Sequence, residues 1–465
     1  MTTIERVLVA PAVGAGYYED LAALQAHPVP LPQRFTAPPL TPGFRAIREV
    51  AEAVSVGLVL DDGRVAWGDC VAVSYSGRGG REPVFRTEHG LHSIQTTVVP
   101  FLQGRTLGSF RELAAQVDAL TETVEETRPI PPPEPEAGEG VSRRALLTTP
   151  ARVWQAARGE ASVPSQQVAV EHRLHTAIRY GVSQALLQAV ALARQVTMAE
   201  VIAQEWELPS PEMPIPIHAQ SGAERYYHAE KMIVHRIASL PHGLVDDIPR
   251  QMGLDGSEMT RYLRWLSRRI AELGGEDYQP VIHLDLQGAL GRIYDNQLGR
   301  VLGQLYSWQL AAQPYSLRIE CPLLLESCEA QIEIMKTLRE YLRLRKMRIQ
   351  IVVDEWANTL EDIRAFLKAG AADMIQIKMP DLGSIHNAVE ASLACRDAGV
   401  AALLGGSYAE TDLSARTSVH VALACRSDLI LAKPGLEVDG AISLVQNEMN
   451  RTLARIRAVR KERQT

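Results

Sequence analysis

Four segments, VIHLD (281–285), LRIE (317–320), IQIVVD (349–354) and MIQIK (374–378), each run an apolar, strand-like stretch into one polar residue: Asp285, Glu320, Asp354 and Lys378. They recur at intervals of about 30 residues, the length of one strand plus one return helix. The pattern reads as successive β/α units of a parallel barrel. Active sites of such barrels sit at the C-terminal ends of the strands, so these acids converge on one mouth. Three carboxylates there make an all-oxygen cage for a hard divalent cation, Mg2+ with Mn2+ as the alternative, rather than Zn2+. Lys378, on the next strand, stands where it can move a proton beside that cation.

An Asp or Glu at a strand end is also a common N-cap of the following helix. This series differs from capping in its repetition on consecutive units, in apolar stems that run directly into all three acids, and in the lysine that completes it. Pro322 also follows closely on Glu320.

Working outward, VAALLGG (400–406) and DLILAKPG (428–435) continue the rhythm downstream, and PIPIHAQSG (214–222) and MIVHRIAS (232–239) supply the preceding strands. Before them, RLHTAIRYGVSQALLQAVALARQ (173–195) carries apolar residues at helical spacing, with Gly181 allowing close approach, and joins the barrel to what precedes it. The N-terminal part reads as α+β. IERVLVAPAV (4–13) and AVSVGLVLDDGRVAWGDCVAV (53–73) give an antiparallel sheet with a DDG turn, and SFRELAAQVDALTETVEE (109–126) carries helical periodicity. RPIPPPEPEAGEG (128–140), with five prolines, breaks regular structure. It opens an insertion spanning about 122–168, with one short helix expected around ALLTTPARVWQAA (145–157). The fold expected is a modified (β/α) TIM-type barrel, residues 171–465, under an N-terminal α+β capping domain, residues 1–170.

Composition bounds the function. The chain has 465 residues, 46% of them apolar, enough for two domains with sizeable cores. A net charge of −7 excludes nucleic acid as a general partner, and the short basic C-terminal run reads as a solvated helix. The five cysteines are scattered without a CxxC pair, which fits a reduced, cytoplasmic setting; no signal peptide or membrane-spanning apolar run is evident.

Period-two geometry puts Gln376 on the same face as Lys378, one layer deeper, and pairs His218 with Gln220 and His283 with Asp285. His242, in SLPHGLVDD, falls just past the MIVHRIAS segment, where a histidine is usually a surface or structural residue. His228, His235 and His242 are spaced by seven, but no helix carrying all three is evident, so a zinc site is not expected. SYSGRGGRE (74–82) lacks the Lys-Ser/Thr of a phosphate loop and reads as a flexible lid. Cys321 reads as packing.

The blocks MIQIKMPDLG, RLHTAIRYG, AQSGAERY, LPHGLV, HLDLQGALG, VVDEWANTLED, LAKPG and NEMNRTLA resemble methylaspartate ammonia-lyase, a family of the enolase superfamily, over nearly the whole chain outside the insertion. The resemblance implies a homodimer whose Mg2+ is held by Asp285, Glu320 and Asp354, with Lys378 as the base and His242 as the second acid/base on the opposite face. It places Gln220 and Gln376 at the substrate's carboxylate and amine groups, and Leu431 around its methyl. Other positions depart from the family. Ser74 stands where it has a glutamine, His218 at an aromatic position, Leu403 at a tyrosine, and Ser407 and Tyr408 where Thr and Cys are usual. The metal and base positions are kept while the pocket is rebuilt. That points to ammonia elimination through an enediolate from a 3-substituted aspartate, not necessarily 3-methylaspartate. Epimerisation, racemisation or dehydration through the same enediolate is the nearest alternative. A non-catalytic homologue using the proline-rich segment for docking is a further one.

Overall fold

The computed structural model describes residues 2–27, 29–129, 165–222 and 224–464. The expected helix at 145–157 and most of the proline-rich run lie outside the described residues. The chain divides into two compact units, one comprising Met1–Ala119 with His175–Thr465, the other Leu120–Leu174.

In the larger unit, β1 (Ile4–Glu19), β2 (Arg48–Leu60) and β3 (Val65–Val71) form an antiparallel sheet in that order. The β2–β3 turn is the DDG expected, with Gly63 at φ 83° supplying the left-handed residue. In the smaller unit, β4 (Thr121–Pro129) and β5 (Ser165–Arg173) pair antiparallel from Thr121↔Arg173 to Pro129↔Ser165. This corrects the helical reading of 109–126. The helix Phe110–Asp118 stops at Asp118, because Thr121, Thr123 and Val124 are β-branched and pair in a strand ladder.

Eight parallel strands close the barrel of the larger unit: β6 (Ile217–Ala219), β7 (Ser239–His242), β8 (Val281–Asp285), β9 (Leu317–Glu320), β10 (Ile349–Val353), β11 (Met374–Ile377), β12 (Ala401–Leu404) and β13 (Leu429–Ala432). Their residues are almost continuously apolar because helices cover one face and the barrel core the other. The segment MIVHRIAS is not the second strand. Met232–Val234 close the helix Arg225–Val234, whose Ala229, Met232 and Ile233 are buried at helical spacing, and the strand begins only at Ser239. The return helix Leu360–Ala369 starts on a capping box between Thr359 and Asp362 and ends on Gly370 at φ 68°.

The helix Thr176–Arg194 packs on β3 with no side chain between them at one point. A Cβ on Gly68 would collide with the carbonyl oxygen of Gly181, and one on Gly181 with the backbone nitrogen of Cys70. Among the described residues, no single helix is long and apolar enough to cross a membrane.

Candidate active site

The strand register sets the acids. Asp285 on β8 lies beside Glu320 on β9, and Glu320 beside Val352 on β10, so Asp354 emerges two residues farther along, at the mouth. All three carboxylates are buried. Asp285 and Glu320 each offer an oxygen within 4.8 Å of the other and of a His242 ring nitrogen. Lys378, directly after β11, places Nζ 2.6 Å from Asp354 Oδ2. Gln376, one layer deeper as period two requires, donates from Nε2 to Glu320 Oε1 at 2.6 Å. His283, below Asp285, lies 2.7 Å from Glu320 Oε2.

His242 is not the surface histidine that a loop start suggested. It is the last residue of β7, 4% exposed, and its Nε2 lies 3.2 Å from Asp285 Oδ2. In the closed ring of strands, β7 and β11 are diametrically opposed, so His242 and Lys378 face each other with the acids of β8, β9 and β10 along the arc between them.

The electrostatics follow from burying so much like charge. Burial first, then Asp285, Asp354 and Glu355, push the Glu320 carboxyl well above the usual carboxylate range. Glu355, beside Asp354, is pushed up to about 7 by burial and by that neighbour. Burial also pushes Asp354 up, but Lys378 and Arg81 outweigh it and hold the group at about 2. For Lys378, burial and Arg81 push the amine down, yet Asp354, Asp381 and Glu355 prevail and hold it above its ordinary value. Burial is the largest single influence and Arg81 the next, so the raised value comes from the three acids acting together and not from the Asp354 pair alone.

Sequence reasoning missed three members. Arg81, from the loop read as a flexible lid, is buried, donates to Asp381 Oδ2 at 2.8 Å, and lies 3.3 Å from Asp354 Oδ1 and 3.6 Å from Glu355 Oε1. The acid doublet Asp354-Glu355 was the available signal for Glu355. Nothing local marks Arg81 or Asp381.

A cavity of 410 Å³ opens above these groups, lined by Lys378, His242, Asp285, Asp354, Gln220, Gln376 and Leu431 from the barrel. Tyr17, Arg48, Ser74 and Arg81 line it from the N-terminal part, and Ser407 and Tyr408 from the loop after β12. Ser74 and Ser407 touch, with hydroxyls 3.2 Å apart and the Ser74 amide donating to Ser407 Oγ at 2.9 Å. The loop carrying Ser407 is held from below. Glu410 accepts from the Ser407 amide and the Tyr180 hydroxyl, each at 2.8 Å, and pairs with buried Lys433. Tyr408 stacks near Tyr17 with ring centres 6.4 Å apart. Two residues expected at the pocket are elsewhere. Leu403 packs in the barrel core with Val352, Met374, Leu429 and Leu431, because its place in the strand register turns it inward. His218 is fully buried beneath His242.

Comparison with known proteins agrees with this fold. The model of the methylaspartate ammonia-lyase C-terminus matches residues 210–458, and that of the N-terminus matches 2–130 and 144–207. The chain belongs to the methylaspartate ammonia-lyase family. Methylaspartate ammonia-lyase 2 of Carboxydothermus hydrogenoformans is 40% identical over 447 residues, 96% of this chain and 97% of the relative. The Citrobacter amalonaticus methylaspartate ammonia-lyase structure, which contains (2S,3S)-3-methylaspartic acid, is 36% identical with a TM-score of 0.84, covering 98% of this chain and 100% of that one. The Mg complex of β-methylaspartase from Clostridium tetanomorphum is 35% identical with a TM-score of 0.80, over 98% and 99%.

Proposed function

We propose that this chain is a Mg2+-dependent carbon–nitrogen lyase that eliminates ammonia from 3-methylaspartate or another 3-substituted aspartate. The observation that carries the reading is the opposition of Lys378 and His242 across an arc of buried carboxylates. Family membership, and relatives whose structures hold Mg or 3-methylaspartic acid, support it.

The donor set fits a hard cation. It is all oxygen, buried and mutually repulsive, and Asp354 Oδ1 and both Glu355 oxygens have no hydrogen-bond partner. Asp285, Glu320 and Asp354 are the residues that would hold it. A bound divalent cation supplies a Lewis acid for the second negative charge that a carboxylate acquires when the neighbouring carbon loses its proton. Lys378 would remove that proton from one face once Asp354, engaged with the cation, no longer holds the amine protonated. His242 stands on the other, where a proton is needed by the departing amine. Gln220 and Gln376 orient the polar ends, and Arg81 holds Asp354 and the loop above it.

The same opposition would serve epimerisation, with one group removing a proton and the other returning it. The separating experiment incubates purified protein with a panel of 3-substituted aspartates in deuterated buffer, with Mg2+ or EDTA. Ammonia release that needs Mg2+ is expected. Solvent deuterium in the substrate with inverted configuration, and no ammonia, would establish the epimerase instead. We also propose a cytoplasmic homodimer, which light scattering after size exclusion tests for its oligomeric part.

A further inference from the structure

Three histidine rings from adjacent strands are stacked under the catalytic mouth. His218 on β6 lies with its ring centre 4.4 Å from that of His283 on β8, and 5.1 Å from that of His242 on β7. The hydrogens of this stack can be placed by following it from the bottom. His218 Nδ1 is 3.1 Å from the carbonyl oxygen of Ser239, which only accepts, so Nδ1 carries a hydrogen. Burial, with His242 alongside, pushes His218 well below the usual histidine range, so the ring is neutral and its Nε2 presents only a lone pair. That Nε2 lies 2.8 Å from His242 Nδ1, and the hydrogen between them therefore belongs to His242. The remaining nitrogen of His242, Nε2, points to the mouth, 3.2 Å from Asp285 Oδ2, a carboxylate oxygen that only accepts, so by the same rule Nε2 carries a hydrogen as well, the one it can give to a substrate.

We propose that His218 is a positioning residue: by accepting from His242 Nδ1 it fixes that hydrogen and reserves His242 Nε2 as the atom that exchanges a proton with the substrate. The assignment rests on the reading of His242 as the second acid/base. It is particular to this chain, since the resemblance implies an aromatic residue at position 218, and a carbocyclic ring cannot accept this hydrogen bond. His283, stacked against both rings, holds the plane in which the bond is short.

The test uses full-length, [15N]histidine-labelled protein with Mg2+ bound, and two-bond hydrogen–nitrogen correlation spectra, with His242→Ala to identify the His242 signals. The expected result is a hydrogen on His242 Nδ1 in the wild type, a mixture of tautomers in His218→Phe, and restored Nδ1–H in His218→Gln, whose amide oxygen can accept. In parallel, kcat for ammonia release should fall about 10- to 100-fold in His218→Phe, with KM little changed and recovery in His218→Gln. A bare Nδ1 in the wild type overturns the assignment, and that is also what a metal held by the three histidines would show. An unchanged His242 tautomer in His218→Phe overturns it too. Should His218→Phe fail to fold, the wild-type and His218→Gln spectra decide. An Nδ1 hydrogen in a protein that releases no ammonia from any 3-substituted aspartate supports this hydrogen placement and sinks the lyase reading alone.

Discussion

Arg81 reaches from the loop after β3 to within 3.3 Å of Asp354, placing one buried guanidinium among Asp354, Glu355 and Asp381. Removing it leaves three buried acids short of their shared cation. Arg81→Ala should destabilise the Mg-free protein by about 3–5 kcal/mol and loosen the 74–82 loop. Urea unfolding in EDTA measures the first effect and hydrogen exchange across the loop the second. A loss below 1 kcal/mol would show that Arg81 is dispensable.

Lys378→Ala removes the base and leaves the carboxylates. Turnover should fall by about 10²- to 10⁴-fold or vanish, while calorimetric titration still shows Mg2+ binding. Retained turnover would end the assignment of the base. Glu320→Gln should instead weaken Mg2+ binding itself in the same titration and lose turnover with it.

The crowded acids predict an unusual pH dependence of stability. A carboxyl raised on folding, such as Glu355 from 4.5 to about 7, binds protons in the folded state that the unfolded chain does not hold. Its stabilising effect is complete below 4.5 and is lost as pH climbs through 7, and Glu320 acts in the same direction. The depressed Asp354 works oppositely, but its contribution is already in place above its ordinary 3.8. In EDTA, the Tm of the wild type should therefore fall relative to that of Glu355→Gln between pH 4.5 and 7, while the buried His218 and His283, both held well below the ordinary histidine value of 6.5, pull the other way in both proteins up to that value. Added Mg2+ should stabilise more at the upper end of that window. A Tm in EDTA that rises equally in wild type and Glu355→Gln refutes this account.

Ser74 is short, and its hydroxyl is spent on Ser407. Ser74→Gln restores the side chain that the family resemblance implies there, long enough to reach a substrate amine. KM for 3-methylaspartate should drop by about tenfold, the worth of one hydrogen bond to a charged group. Unchanged KM across the aspartate panel would show that position 74 does not select the substrate.

The barrel and its carboxylates were legible because three consecutive strands, β8, β9 and β10, are short apolar runs leading into an acid, a pattern local to about five residues. Lys378 followed from the same strand-end pattern, and strand alternation put Gln376 on its face. What could not be read depends on distant chain segments meeting. Arg81 lies 300 residues from Asp381, and its glycine- and serine-rich loop also carries Arg78, with no local sign of which arginine turns inward. His242 looked like a loop residue because the helix Arg225–Val234 ends in Met-Ile-Val, three residues that suit a strand equally well. The apolar Leu403 carries no mark of which way it faces; only the register with Gln376 fixes that.

The contact of Gly68 with Gly181 constrains how substrate enters. Backbone pressed on backbone leaves no room for sliding or for a swinging hinge, so the three-stranded sheet is fastened to the rest of its unit. What can vary around the cavity is confined to the short segments at Ser74–Arg81 and Ser407–Tyr408 that line it. A bulkier residue at either glycine would wedge the sheet away and dislodge Arg81 from the acids it neutralises, silencing the enzyme from a position that never meets its substrate.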